Sequence, residues 1–417
     1  MNDDHAIRHG LEDKTAPSND ITVVFAMSAA SYQKKLASSL LSAGMLRQLM
    51  EFVPRLEIQQ PNANGQLERV KTFPFCAFCN RVMWGLWRRL PERMRPPPPM
   101  SITAWLADRL LVKWIGRSRI FHGCSALCLA SLRAAKRTGA ITLVENASCH
   151  PRHWKKVEMN ERMRLGLTGR ISRGNLTETL LRRMDREFEE CDWIVVPSAV
   201  ARQSFAEYGL LEKTIVLPTG VDADFFSPAS LNATQPMFRV CYVGRVELAK
   251  GIGYLLEAWK RLRLPNAELV LVGQINPDAK SLLKNGGSDG VRLTGFLSGR
   301  EVAEWYRQSH LFVQPSPNEG LAQVLLEAMA SGLPVVATDK TGAADCMVNG
   351  TEGLIVPARN VDALAEAMLW CYQHREQSLE MGRAARRRIE RQFTLEHYNQ
   401  RVIELYRALV GIQRVAR

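Results

Sequence analysis

The chain has 417 residues, 46% hydrophobic and 23% charged, which excludes a disordered or fibrous protein and exceeds what one core usually organises. Lys and Arg number 55 against 42 Asp and Glu, a formal net charge of +13. Nine cysteines, an odd number scattered mostly singly, exclude a secreted disulfide framework and predict a reducing, cytoplasmic setting.

Residues 1–20 are polar and are expected to form a mobile tail. The start lacks the basic-then-apolar pattern of an export signal, and no uncharged apolar run reaches the roughly 20 residues a membrane span needs, so neither export nor integral insertion is expected. From Ile21 the pattern alternates short apolar runs with amphipathic stretches, which predicts parallel α/β architecture. A first domain over 21–224 carries strands at Ile21 to Met27, Arg119 to His122, Ala140 to Glu145, Trp193 to Val196 and Thr214 to Leu217, with a helix over Lys34 to Met50. Residues 55 to 117 resist placement. Cys76 and Cys79 could form half a zinc site, but no second Cys or His pair stands at finger spacing, and Phe73, Phe75 and Phe78 favour burial.

Residues 225–237, with two prolines and no apolar period, read as a linker. A second domain over 238–394 restarts the alternation, with strands at Arg239 to Val243, Glu268 to Val272, Val291 to Thr294, Leu311 to Gln314, Pro334 to Thr338 and Gly353 to Val356. Residues 395–417 form a last helix. The fold class is thus two Rossmann-like, doubly wound domains facing each other, with ligands expected in the crevice at the carboxyl ends of the strands.

Two constellations carry chemistry. Gly244 to Gly251 lies between a strand and a helix: Gly244 permits close backbone approach, and Arg245 and Lys250 place two cations beside a helix N-terminus that already favours an anion such as a diphosphate. Pro315 to Gly332 runs from a strand end through a turn into a helix, with Glu319 in the loop, Glu327 about two turns on, and Gly320, Leu321 and Ala322 offering amides at the helix start. Each feature alone also fits a solvated loop or a favourably placed carboxylate.

Together with Pro218 to Asp222, Glu327 to Ala337, Asp345, and Gly353 to Pro357, these residues resemble the retaining nucleotide-sugar glycosyltransferases of family 4, of the two-domain GT-B fold. The match is specific from about Trp193 to Ala367. The resemblance implies transfer, with retention, of a hexose-type sugar from a UDP- or GDP-sugar to a glycan or lipid-linked acceptor in cell-surface polysaccharide or glycolipid synthesis. It implies that Arg245 and Lys250 stabilise the leaving diphosphate, that Glu319 contacts the donor sugar, that Glu327 accepts from the ribose, and that the Gly320, Leu321 and Ala322 amides orient sugar and phosphate. No cofactor and no essential metal are expected, since two fixed cations replace a magnesium ion. The last helix is expected to pack back on the first domain.

In the first half, Glu145 to His150 follows a strand, and similar enzymes place a histidine near the donor there, which makes His150 a catalytic candidate beside a bland loop histidine. His122 to Ser125 is expected to shape the same cleft. The first loop departs from the family: Ser28-Ala29-Ala30-Ser31 stands where many relatives carry glycines. Region 81–119 holds nine Lys or Arg against Glu92 and Asp108, interleaved with Trp84, Trp87, Trp105 and Trp114, a composition suited to an anionic membrane surface or to an ordinary basic helix face. No nucleic-acid motif accompanies it. The competing readings are an inactive nucleotide-sugar-binding scaffold, an epimerase of the same fold, or a phosphorylase.

Overall fold

The computed structural model describes residues 21–25, 31–43, 45–51, 70–72, 100–166, 176–228, 237–276, 279, 282–283 and 289–415. The expected tail 1–20, the loop residues 28–30, the Cys76 and Cys79 pair, Trp84 and Trp87 with the basic residues up to Arg95, and linker residues 229–236 lie outside these.

Two parallel sheets form the frame. The first contains β1 (Ile21–Phe25), β2 (Leu46–Glu51), β3 (Val70–Thr72), β4 (Ile120–Cys124), β5 (Ile141–Glu145), β6 (Trp193–Val196) and β7 (Thr214–Val216), in the order β3-β2-β1-β4-β5-β6-β7. The second contains β8 (Phe238–Val243), β9 (Ala267–Val272), β10 (Val291–Gly295), β11 (Leu311–Gln314), β12 (Val335–Thr338) and β13 (Gly353–Val356), in the order β10-β9-β8-β11-β12-β13. All six residues of β8 and all four of β11 and β12 are buried, as expected of parallel strands covered on both faces. Helices lie on both faces of each sheet: Leu36, Leu40, Ile120 and Leu143 share one core, and Phe121, Leu132, Val144 and Phe188 another. The second sheet is sandwiched in the same way, with Val243, Phe312, Leu325 and Met329 on one side and Tyr242, Leu255, Val313 and Met368 on the other.

The strand order reverses between β1 and β4 in the first sheet and between β8 and β11 in the second. At such switch points the loops diverge and leave a crevice. The loops after β8 and β11 are those that carry Arg245, Lys250 and Glu319.

One expectation is overturned here. The run Lys34 to Met50 is not one helix: the helix Ser31–Ser42 ends where the Met45 amide bonds the Leu40 carbonyl at 2.9 Å, and Leu46–Glu51 is β2. Leu46, Leu49 and Met50 satisfy helical spacing, but pairing with β1 on one side and β3 on the other wins. The stretch that resisted placement contributes β3 and the helix Met100–Leu111.

The chain crosses between domains twice, side by side. The Val221 amide bonds the Phe393 carbonyl at 2.8 Å and the Leu395 amide bonds the Val221 carbonyl at 3.1 Å. Gly220 has no room for a side chain, since a Cβ would stand 2.4 Å from the Thr394 carbonyl oxygen. Val221 and Phe226 already pack on the second core. One Arg386 nitrogen donates to the carbonyls of Ala223, Phe226 and Ala330 at 2.7, 2.8 and 2.7 Å, which fixes the start of the linker to the second domain. After the second crossing the helix Leu395–Val415 returns to the first domain, burying Tyr398, Val402 and Tyr406 against the core that contains Leu36 and Leu40.

Candidate active site

The loop after β8 is held from below. Its Gly244 amide bonds the Val272 carbonyl, Val246 exchanges bonds with Gln274 and Asn276, and the buried Tyr242 hydroxyl donates to the Arg245 carbonyl at 2.8 Å. Gly251, at φ +75°, joins this loop to the helix Ile252–Leu262, and a Cβ there would lie 2.0 Å from the Pro315 carbonyl oxygen. Glycine is required on both counts. This contact brings the β8 and β11 loops together, so that Lys250 meets Glu319, 69 residues on.

Lys250 Nζ is in direct contact with the Glu319 carboxylate, both side chains mostly buried. Arg245 Nη2 lies 2.9 Å from Glu247 Oε1; the Arg245 side chain is 43% exposed while Glu247 is buried. The two cations therefore stand in a site that carries two carboxylates of its own. Glu247 was not singled out from the sequence, because nothing local distinguishes it from a solvated loop acid. Apart from the Arg245 ion pair, the Glu247 carboxylate has no polar partner among the described residues, and Gln314 Oε1, Asn318 Nδ2 and Ser148 Oγ are buried without a hydrogen bond. Buried polar atoms without a partner are costly, and a bound ligand or water would supply what these lack.

Glu319 is anchored by its amide to the Lys340 carbonyl at 2.8 Å. Leu321 and Ala322 lead into the helix Gln323–Ala330 without a side-chain cap, and the amides of Gly320, Leu321 and Ala322 donate to no group among the described residues. Their free N–H groups sit at the positive end of the helix. Gln323 ties the same helix start to the crossover, donating to the Gly220 carbonyl at 2.9 Å.

Glu327 lies on the helix body and is largely enclosed; Tyr306 donates to it at 3.2 Å, and burial pushes its carboxyl up to about 7 despite that bond.

The first domain reaches this site through Gly320. A Cβ on Gly320 would stand 2.6 Å from Ser148 Cα and 3.1 Å from the Ala147 carbonyl oxygen, and the Ser198 hydroxyl donates to the Gly320 carbonyl at 2.5 Å. Asp345 accepts from the Ala199 amide at 2.9 Å, capping a first-domain helix from the second domain. Farther out, the buried Glu161 accepts from the Tyr254 hydroxyl at 2.6 Å and from Arg359 at 2.5 Å. None of these pairings has a local sequence signature.

His150 stands on the first domain, two residues beyond the Ser148 that meets Gly320. Its ring is 1% exposed, stacked on Tyr208 with centroids 3.8 Å apart and edge-on to Phe205, and its Nδ1 accepts from the Arg152 amide at the start of the helix Pro151–Arg164. Burial lowers its pKa to about 3, so the ring is neutral at physiological pH. The loop that precedes it, through Ala147 and Ser148, is what touches Gly320. His122 is buried too, its Nδ1 2.6 Å from the Tyr406 hydroxyl of the returning helix, and burial lowers its pKa to about 4. Among the described residues no group of three or more His, Cys, Asp or Glu is arranged to hold a metal ion.

A fold of two facing parallel α/β domains is the architecture of GT-B glycosyltransferases. Sucrose-phosphate synthase from Thermosynechococcus elongatus superposes with a TM-score of 0.69 at 20% identity, over 94% of this chain and 99% of that one, which establishes the shared fold. Residues 238–374 match the family model described as Glycosyl transferases group 1, and the second domain is a domain of that group. A D-inositol 3-phosphate glycosyltransferase from an Arthrobacter species is 33% identical over 187 residues, 41% of this chain and 44% of that protein. A GDP-mannose-dependent alpha-(1-6)-phosphatidylinositol monomannoside mannosyltransferase from Mycobacterium tuberculosis is 30% identical over 233 residues, 51% of this chain and 60% of that protein. The chain thus spans about half the length of the curated relatives it matches.

Proposed function

We propose that the protein is a retaining glycosyltransferase that takes a hexose-type sugar from a nucleoside-diphosphate donor bound on the second domain. The observation that carries this is the contact of Lys250 with Glu319 beside the free amides of Gly320, Leu321 and Ala322. In this reading a diphosphate enters at Arg245 and Lys250, and the growing negative charge of the departing nucleotide is stabilised by those cations and by the helix start. Lys250 bridges phosphate and sugar, since its partner Glu319 accepts from the sugar hydroxyls. Glu327 accepts from the ribose. His150 acts at the end of the loop that touches Gly320: its ring packs on Tyr208 and Phe205 and its amide donates to Ser204 Oγ, so in this reading its role is positioning. Two fixed cations make a metal unnecessary. The match to a mannosyltransferase named as GDP-mannose-dependent supports a nucleotide sugar as donor and a glycolipid as acceptor.

A peripheral contact with an anionic membrane surface belongs to the same reading. It is supported by the exposure of Trp105, Leu106 and Trp114, at 46%, 41% and 47%, with the Arg109 guanidinium 4.1 Å over the Trp105 ring. No helix among the described residues is long and apolar enough to cross a membrane.

The test is a nucleotide-release assay in a chelator, across UDP- and GDP-sugars, with lipid-linked acceptor offered either in anionic vesicles or in detergent. Release from one donor family, faster with vesicles, is expected. No release from any donor would count against the transferase, and equal rates would count against the membrane contact.

Glu327 adds a pH dependence. Its raised pKa means that the folded protein holds this proton more tightly than the unfolded chain, so its contribution to stability falls as pH rises from about 4.5 to about 7. The ribose contact runs the other way, because the ionised carboxylate is the better acceptor. Donor affinity is expected to rise severalfold between pH 6 and pH 8, and Glu327→Gln to flatten that profile. An identical slope in the variant would remove Glu327 from the donor site.

A further inference from the structure

The helix Arg375–Gln392 closes a cavity of about 540 Å³ against the amino ends of β8, β11 and β12. All strands of this sheet are parallel, and the donor loops leave the carboxyl ends of the same strands. The cavity is therefore separated from the donor site by the length of the strands, about 13–20 Å for four to six residues.

Its wall is strongly one-signed. Arg307, Arg375, Arg383, Arg386 and Arg387 line it together with His310, and no Asp or Glu is among the described lining residues. Three of these stand on one face of the helix at four-residue spacing, Arg375, Arg383 and Arg387, with Leu379 completing the row, so that successive positions rise about 6 Å along the axis. Arg375 lies 4.0 Å over the Phe238 ring, and neither Arg375 nor Arg387 forms an ion pair among the described residues. Arg307, Arg383 and Arg386 pair with Glu304, Glu380 and Glu390, acids that are at least half exposed and outside the cavity. The exposed Arg383 pair contributes little and yields readily to a better anion, whereas Arg307 and Arg386 are also held by backbone carbonyls and are fixed in the wall.

The floor has a different character. Phe238, Tyr306, Leu333 and Cys371 are buried side chains that line it, and the buried Ser378 hydroxyl beside them makes no hydrogen bond to nitrogen or oxygen. Forked guanidinium groups at the mouth suit a tetrahedral oxyanion, which they can grip with paired bonds. An apolar floor with one hydroxyl, met only by the Cys371 thiol, suits an organic body with a polar group.

We infer that this cavity is a second ligand site, on the far side of the sheet from the donor, for a phosphomonoester: a small organic phosphate or the phosphate headgroup of a lipid. Arg386, which lines it, also holds the linker carbonyls of Ala223 and Phe226, so the occupied site abuts the interdomain crossover.

The experiment compares the full-length wild type, Arg245→Ala, and the exposed pair Arg383→Glu with Arg387→Glu. Calorimetric titration with glucose 6-phosphate forms one arm, and co-sedimentation with phosphatidylcholine vesicles containing phosphatidic acid forms the other. Binding in at least one arm, equal in wild type and Arg245→Ala and at least tenfold weaker in the double variant, is the expected result. Saturation by glucose 6-phosphate identifies a small metabolite, and binding to the vesicles alone identifies a lipid headgroup. Arg387→Ala by itself, which leaves every ion pair of this helix intact, should weaken binding severalfold and guards against misfolding of the double variant. No binding in either arm overturns the inference, as does binding that Arg245→Ala abolishes and the double variant keeps, which would put the phosphate in the donor cleft.

Discussion

Lys250→Ala is expected to lower turnover at saturating donor by about 100-fold or more, the loss seen when one oxyanion-stabilising group is removed from a preorganised site. The structure adds a second cost. Lys250 and Glu319 are a mostly buried pair, so the substitution leaves the Glu319 carboxylate uncompensated next to the place where a diphosphate must sit. Affinity for the donor should fall together with turnover. Adding Glu319→Gln should recover part of the affinity but none of the turnover, because the stray charge is gone while the stabilising cation is still missing. The rate of nucleotide release measures both. A rate within threefold of wild type would remove Lys250 from the transition state.

Gly320→Ala is expected to lower kcat/KM by about 100-fold, for a mechanical reason. The added Cβ meets backbone, Ser148 Cα at 2.6 Å and the Ala147 carbonyl oxygen at 3.1 Å, and no rotamer change can clear it. The loop that carries Glu319 must retreat from the first domain and stretch the Ser198 bond to the Gly320 carbonyl. A displacement of about 1 Å at a reacting centre costs on that order. Each domain keeps its own core, so circular dichroism should be unchanged. Wild-type kcat/KM in the variant would show that this interdomain contact is not part of the active arrangement.

Much of the fold was legible because parallel strands covered on both faces read as short, nearly continuous apolar runs. Leu311 to Gln314, Trp193 to Val196 and Gly353 to Val356 were placed at their observed bounds. The fold class and the resemblance to glycosyltransferases of the GT-B fold are borne out by the superposition and by the match over 238–374. Leu46–Glu51 was not legible as a strand, because its three apolar residues also fit a helical face and only pairing with β1 and β3 distinguishes them. The candidate site was legible where it is local, at Gly244 to Gly251 and Glu319 to Glu327. What bridges distant segments left no trace in the sequence: Glu161 with Tyr254 and Arg359, and Ser198 with Gly320. The Arg375, Arg383 and Arg387 row reads in sequence as a solvated helix face, and only the packing of that helix over the strand ends gives it a cavity to line.

The measurement that tests the central claim most directly is a thermal-shift panel of UDP, GDP, ADP and their common sugar conjugates, in a chelator, on wild type and Arg245→Ala. A ligand that prefers the native state raises its stability in proportion to the logarithm of its occupancy. A rise in Tm with one nucleotide family, lost in Arg245→Ala, is the result that this account predicts. No shift of the wild type with any nucleotide at millimolar concentration would contradict it and leave the chain as a scaffold that keeps the GT-B fold without its donor.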